Sequence, residues 1–506
     1  MSPPIAIRGK VYLVGAGPGD PGLITLRGAE CLAQADVVLY DYLVNPQILW
    51  HAKPGAELEC LGRHGRDRVL PQDEINEQMI HLARQGRTVV RLKAGDPTVF
   101  ARCADELTAL READIPFEIV PGITAAVATG SYAGIPLTHR EVASAVALVT
   151  GQEGDEKSNS QLDFPALARF PGTLVFYMGV TTADRWTEAL IEGGKPGETP
   201  VAIVRRCSWP DQQTILCTLA EVPRKLEQAK LRPPVVFVVG DVVDCADQFT
   251  WFTNRPLFGR TVLVTRPLDQ AEELGYRLSG LGARCLLQPA IEIGPPDDWR
   301  PVDRAIEQIE SFDWIVFSSA NGVRFFLDRL LSLHRDLRVL GRAKLAAIGP
   351  RTAEELGRYH LRVDCQPAEY RAESLASELA GQGEQQRFLL VRASRGREVL
   401  AEELEAAGHE IQQVVCYLSR DVEHPNEDVA ADLAAGRVDW ITVTSSAIAR
   451  SLVRLFGEDL RKSRLASISP VTSTTLRELG FEPSAEARQF TTEGVVEAIV
   501  AAESKL

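Results

Sequence analysis

Three segments in the carboxy-terminal half of the chain recur at one fixed spacing. "TVLVTRP" around Arg266 returns as "FLLVRAS" around Arg392, Gly282 returns as Gly408, and "DWIVFSSANGVRFF" from Asp313 returns as "DWITVTSSAIARSL" from Asp439, each pair 126 residues apart. A fourth pair, "LAAIGPRTAEELG" (345–357) and "LASISPVTSTTLRELG" (465–480), stands six residues closer, as trimming of a loop would leave it. Such a duplication predicts two similar lobes facing a cleft, a common place for a small-molecule site.

The amino-terminal half has a different rhythm. "KVYLVGAG", "ADVVLYD", "RTVVRLKAG", "FEIVPG", "VALVTG", "GTLVFYMG", "TPVAIV" and "PPVVFVVGDVV" are short β-branched runs separated by helix-length segments, the pattern of an α/β fold. After Val243 the pattern stops, and "DCADQFTWFTNRPLFGR" (244–260) is the expected linker. A chain of 506 residues is in any case too long for a single core.

The first run leads into "GAGPGDPG", an apolar strand meeting a glycine-rich turn as in a dinucleotide fingerprint. The third glycine, Gly19, comes one residue early, and Asp20 then places a carboxylate where a pyrophosphate would lie against helix N–H groups. The turn therefore suits a ligand without phosphate, which argues against a nicotinamide-dependent oxidoreductase. A two-lobed solute-binding protein is the non-enzymatic alternative, and the start "MSPPIAIRGK" lacks the apolar segment of an export signal.

The net charge of −14 argues against general nucleic-acid affinity. An anionic ligand would need a local basic patch, and "LGRHGRDRV" (61–69), with Arg63, Arg66 and Arg68 and with Arg91 and Lys93 further on, is the candidate; a solvated loop is the plainer reading. No apolar run is long enough for a membrane helix, so a cytoplasmic protein without membrane partners is expected. The nine cysteines are scattered, without CxxC or grouping with histidine, and no metal is expected.

"VYLVGAGPGDPGLITLRGAECLAQADVVLYDYLV", "RLKAGDPTVFAR", "VPGITAAVATGSYAGIPLTHR" and "TLVFYMG" resemble uroporphyrinogen-III C-methyltransferase, in order and over nearly all of residues 8–252. The resemblance implies a two-lobed tetrapyrrole methylase domain (1–248) that transfers two methyl groups from S-adenosylmethionine to uroporphyrinogen III to give precorrin-2, and that forms a homodimer. It places the donor against Pro18, Ala94, Gly95, Asp96, Val99, Thr124, Ala125, Met178 and Cys207. For Ala125 and Met178 plain core packing is the reading of the residues alone. The catalytic positions it implies are Asp41, as proton acceptor, and Arg63, which stands where related enzymes have a lysine described as proton donor. A guanidinium is held protonated, so Arg63 suits a substrate carboxylate better than an acid role. Ala94, Ala101, Cys103 and Cys207 each replace a glycine of the family.

"FGRTVLVTRPLDQAEELGYRLSGLGARCLLQPAIEI", "FDWIVFSSANGVRFF", "AAIGPRTAEEL", "AEYRAESL" and "VVCYLSR" resemble uroporphyrinogen-III synthase, over about 258–506 after a linker at 249–257. The resemblance implies two flavodoxin-like lobes, one built from 258–291 with 420–506 and the other from 295–416. The implied reaction closes hydroxymethylbilane with inversion of the last pyrrole and loss of water. Arg266, Ser318, Ser319, Thr352, Arg392, Tyr417, Thr444, Ser446 and Thr472 are the candidate substrate contacts, with Arg395 beside them. For each serine, local turn capping is an equal reading. Sirohaem, cobalamin and haem stay open as end products, and another tetrapyrrole methylase activity is the alternative for the first domain.

Overall fold

The computed structural model describes residues 9–62, 70–153, 161–383, 385–396 and 398–505. Four five-stranded sheets follow one another along it. The first contains β1 (Val11–Gly15), β2 (Val37–Tyr40), β3 (Glu57–Cys60), β4 (Val89–Lys93) and β5 (Phe117–Val120), all parallel in the order β3-β2-β4-β1-β5. β1 and β4 are buried along their whole length, as the central strands of a sheet covered on both faces must be.

The second sheet is mixed. β6 (Val146–Thr150) runs parallel to β7 (Thr173–Tyr177), whereas β8 (Pro200–Arg205), β9 (Gln213–Thr218) and β10 (Val235–Val239) form antiparallel pairs, in the order β6-β7-β10-β8-β9. Its core is anchored by Trp186 stacked on Phe176, with centroids 4.4 Å apart. β3 and β9 are edge strands that the hydrophobic pattern does not announce.

The third sheet takes β11 (Thr261–Val264), β12 (Arg284–Leu287), β18 (Trp440–Val443), β19 (Arg464–Ser467) and β20 (Ala485–Glu486) in the order β12-β11-β18-β19-β20. The fourth takes β13 (Ile291–Gly294), β14 (Trp314–Phe317), β15 (Lys344–Ala347), β16 (Arg387–Ala393) and β17 (Glu410–Asp421) in the order β13-β17-β16-β14-β15, with β13 antiparallel at the edge. The chain therefore leaves the third sheet after β12, builds the fourth, and returns along β17.

The 126-residue repeat has a structural counterpart. Asp439 donates its N–H to Thr261 O and accepts Thr261 N on its carboxylate at 2.7 Å; Asp313 does the same with Arg387 O and Arg387 N, the latter at 2.8 Å. Asp439 stands at the start of the central strand β18 and binds the first residue of its neighbour β11, whereas Asp313 stands at the start of β14 and binds the first residue of the central strand β16, so each fixes the register of one adjacent pair. The adjacent Trp440 and Trp314 indole N–H groups both reach side-chain oxygens, of Glu503 and Gln386.

The stretch 244–260 departs from a plain linker. It forms short helical turns at Asp241–Cys245, Ala246–Phe249 and Phe252–Asn254, and Phe252 and Leu257 are buried. Phe252 packs on Tyr132 at 4.7 Å, and Arg255 lies over the rings of Trp251 and Phe252. The aromatics that broke the periodicity are what seat it. A second seam joins the halves directly: the segment Pro46–His51 meets the helix Leu268–Gly280 through His51 Nε2 and Tyr276 OH at 3.0 Å and Gln47 Oε1 and Ser279 Oγ at 3.0 Å.

Candidate active sites

The carboxyl ends of β1 and β4 meet where three glycines bring backbones into contact. A Cβ on Gly15 would lie 2.5 Å from Gly122 N, and one on Gly122 would lie 2.3 Å from Gly95 O. Gly95 has φ +71°, and a Cβ there would have only Thr124 Cα within 4 Å, at 3.9 Å, so its open side faces free space. That space is a cavity of about 610 Å³ between the first and second sheets, within the size range of small-molecule sites.

Pro18, Asp41, Ala94, Gly95, Asp96, Val99, Thr124, Ala125 and Met178 all line this cavity. Cys207 does not: it is buried beneath the wall among Ala128, Tyr132 and Val204, and burial pushes its thiol up to about 12. Its neighbours Arg206 and Trp209 line the cavity instead. Trp209 Nε1 donates to Pro18 O at 3.1 Å, which closes the glycine turn from above. Phe100, Arg102, Met178 and Arg206, four of the ten described non-glycine residues with positive φ, are cavity residues. Backbone strain of that kind concentrates at functional sites.

The opening turn leaves little for a phosphate. Asp20 Oδ1 accepts Gly22 N at 2.8 Å, its Oδ2 accepts the Tyr132 hydroxyl at 2.8 Å, and its own N–H goes to Ser208. The carboxylate thus closes the start of the helical turn Pro21–Leu23 upon itself. Asp96 is also occupied within the protein, accepting Thr98 N at 2.8 Å and Gly122 N at 3.0 Å, so it shapes the turn rather than presenting a free carboxylate.

Asp41 is different. Its Oδ1 accepts Arg91 Nη2 at 2.5 Å, and Oδ2 receives no hydrogen bond from the described residues. Arg91 and Lys93, two apart on β4 and therefore on one face, are buried side chains rather than a surface patch. Both pair with Glu106 from the helix Cys103–Glu112. Arg63, Arg66 and Arg68 lie outside the described residues.

A larger cavity, about 1000 Å³, opens between the third and fourth sheets. Of the sequence candidates, Ser318, Arg392, Arg395 and Ser446 line it. Arg392 is held by Glu398 and Gln413, and Arg395 by Asp421. Arg371, Arg450, Tyr370 and Val471 also line the cavity, together with the carboxylates Glu369 and Glu373. The remaining candidates sit off it. Ser319 caps the helix Ala320–Ser332 by accepting Gly322 N, and bonds the hydroxyl of buried Tyr417 at 2.9 Å. Burial pushes that phenol up, further from acid duty. Thr352 and Thr472 are buried in the first turns of their helices, Arg266 binds Gln270, and Thr444 follows β18. Ser469 costs its loop nothing against a glycine: φ is −162°, close to the −152° of Gly349 in the other lobe, and its hydroxyl accepts Thr472 N.

A mixed α/β body with a strand-end cavity, followed by a duplicated pair of lobes around an arginine-lined cleft, defines two small-molecule enzymes carried in tandem. The family described as Tetrapyrrole (Corrin/Porphyrin) Methylases matches residues 10–223, and Uroporphyrinogen-III synthase HemD matches residues 272–497. A porphyrin biosynthesis protein HemD of Ruminiclostridium josui is 36% identical over 449 residues, covering 88% of this chain and 88% of the relative. A uroporphyrinogen-III C-methyltransferase of Bacillus subtilis (strain 168) is 38% identical over 354 residues, 69% of this chain and 71% of the relative. Among solved structures, a uroporphyrin-III C-methyl transferase from Thermus thermophilus complexed with S-adenyl homocysteine is 38% identical, covering 47% of this chain and 99% of that one, with TM-score 0.41. The chain belongs to the family in which a tetrapyrrole methylase is fused to a uroporphyrinogen-III synthase, and is a bifunctional tetrapyrrole-biosynthesis enzyme.

Proposed function

We propose that the first body, residues 1–248, methylates uroporphyrinogen III twice to give precorrin-2, and that the second, 258–506, closes hydroxymethylbilane to the uroporphyrinogen III that the first consumes. The observation that carries the first half is the Asp41 carboxylate, anchored on one oxygen by Arg91 at the wall of the 610 Å³ cavity. The cavity fits S-adenosylmethionine in its chemistry. The Gly95 turn leaves room for close backbone approach, Val99, Ala125 and Met178 give an apolar wall, and the carboxylate of Asp41 favours a cation nearby.

When bound, S-adenosylmethionine supplies an activated methyl group on a positively charged sulfur. Alkylation makes a fully substituted pyrrole carbon quaternary and leaves the ring cationic. Asp41 Oδ2 accepts the proton that the ring then loses from a bridging methylene or a pyrrole N–H, and the carboxylate stabilises the positive charge that the ring carries beforehand. Arg91 keeps Asp41 from swinging away. Tyr177, whose hydroxyl bonds Thr124 Oγ1 and accepts Ala126 N, both at 2.7 Å, stiffens the wall beside Met178.

In the second body the leaving group departs from an electron-rich pyrrole, so folding the linear chain and steering its closure are the main tasks. Arg371, Arg392, Arg395 and Arg450 around one cleft supply charge for the substrate's carboxylates on an otherwise acidic protein. The domains would divide at 249–257, with lobes of 258–291 plus 420–506 and of 295–416.

Exposed Phe117, Ile119, Val127 and Leu148 on the first body, with Phe249 and Trp251 of the segment that follows it, support a homodimer, and a cytoplasmic enzyme fits both substrates. No helix among the described residues is long and apolar enough to cross a membrane. The test of the second half is hydroxymethylbilane supplied without methyl donor. The type III isomer is expected; the type I isomer of spontaneous closure contradicts the proposal.

A further inference from the structure

Behind Asp41 lies a buried ionic chain that the proposed chemistry does not itself use. Glu106 is fully buried; its Oε1 accepts Arg91 Nε at 3.0 Å, Lys93 Nζ at 2.7 Å and Gln72 Nε2 at 3.3 Å, and its Oε2 accepts Lys93 Nζ at 2.7 Å. Arg91 then spans from Glu106 to Asp41, with Nη1 held by Leu92 O at 3.2 Å. Two carboxylates and two cations therefore form one continuous set with no net charge. Stability does not call for such a set, because well-packed apolar side chains in place of a buried ion pair are often at least as stable.

We propose that Glu106 is a positioning residue for methyl transfer: it shares Arg91 with Asp41 and so sets how strongly Asp41 holds a proton, while Lys93 balances it. This rests on the reading of Asp41 as the proton acceptor. Arg91 alone would pull electron density from Asp41 and make it a weak base. Glu106, bonded to the same guanidinium, takes back part of that pull. Lys93 limits how much Glu106 can take. Burial and neighbouring Arg91 push the Lys93 ammonium down, and Glu106, with a smaller contribution from Asp41, opposes them.

Among the described residues, the groups around this set come from several adjoining elements, and Arg102 and Arg206 line the same cavity as Asp41. Arg91 and Lys93 belong to β4, Glu106 and Cys103 to the helix behind it, Tyr42 to the segment after β2, and Asp96 to the turn after β4. The Cys103 thiol is pushed up by burial and by Glu106, and the Tyr42 phenol by burial and by Asp41.

The test is the pH profile of kcat/KM for methylation by the full chain, with uroporphyrinogen III and S-adenosylmethionine. Glu106→Gln frees Arg91 for Asp41, and the acid limb is expected to move down by about one unit, with a lower plateau. Lys93→Met removes the balancing cation, and the limb is expected to move up. Gln72→Glu, at the partly exposed start of its helix, sets a carboxylate against Glu106 without deleting a buried charge and covers the case in which the other two variants do not fold; it too is expected to move the limb up. A merely structural role lowers activity in all three and leaves the limb in place, which would overturn the inference. Asp41→Asn separates the two claims: an acid limb that persists there refutes Asp41 as acceptor, whereas a limb that vanishes there but stays fixed in the other variants refutes the role of Glu106.

Discussion

Arg91 Nη2 lies 2.5 Å from Asp41 Oδ1, and the guanidinium that makes this contact is buried while the carboxylate is about a third exposed. One partner is fixed in the sheet and the other reaches the cavity. Arg91→Met should therefore cost twice. Methyl transfer is expected to fall by about a hundredfold as Asp41 loses its position. Unfolding free energy is expected to drop by ~3 kcal/mol, since Glu106 loses one of its two buried cations. Single-turnover kinetics and urea unfolding read the two effects separately.

The Asp313 and Asp439 contacts predict a penalty in each lobe, the larger for Asp439, whose bond is part-buried and which also pairs with Arg260 at 3.6 Å. Asp313→Ala and Asp439→Ala each remove a charge-assisted bond to the first N–H of the adjacent strand and should each cost about 1 to 2 kcal/mol. Urea midpoints check this. A large effect in one lobe and none in the other would show that the repeat is not energetic.

Gly95 has φ +71° and faces the cavity. Gly95→Ala should cost about 1 kcal/mol for the left-handed backbone and raise KM for the methyl donor more than it lowers kcat. Donor-dependence curves at saturating uroporphyrinogen III measure this.

On the first body's surface, Glu118 is bound by Arg27 and Lys10, which hold its carboxyl down to about 2. A depressed folded-state value means that the stabilisation is present above the ordinary carboxylate range and is lost as pH falls toward 2. The acid sensitivity between about pH 4 and pH 2 should be smaller in Glu118→Gln, and the difference should shrink with salt because the pair is exposed. Thermal midpoints across that range supply the check.

Much of this structure is written in the hydrophobic pattern. The eight apolar runs of the first half became strands, six of them largely buried, while β5 and β6 each bury a single residue completely and leave Phe117, Ile119 and Leu148 exposed. β3 and β9 escaped because edge strands carry few apolar residues: "ELEC" is largely exposed, and "QTILCT" has no fully buried position. The cavity residues from Pro18 to Met178 were legible through family resemblance, and Cys207 misled because it sits one residue from the lining Arg206. The pairing of Arg91 and Lys93 with Glu106 had a signal that was read as a surface patch. Two cations spaced by two on a β-branched strand share one face of a buried sheet, where each needs a carboxylate. Arg371 and Arg450 carried no such signal, since only the folding of distant segments brings them to one cleft.

The most direct measurement gives the purified chain hydroxymethylbilane and S-adenosylmethionine together and determines product mass and isomer by chromatography and mass spectrometry. The account predicts a dimethylated type III product, with methylation slowed severalfold to about a hundredfold but still measurable in Asp41→Asn while ring closure continues. Unmethylated product in the presence of donor, or undiminished methylation by Asp41→Asn, would contradict it.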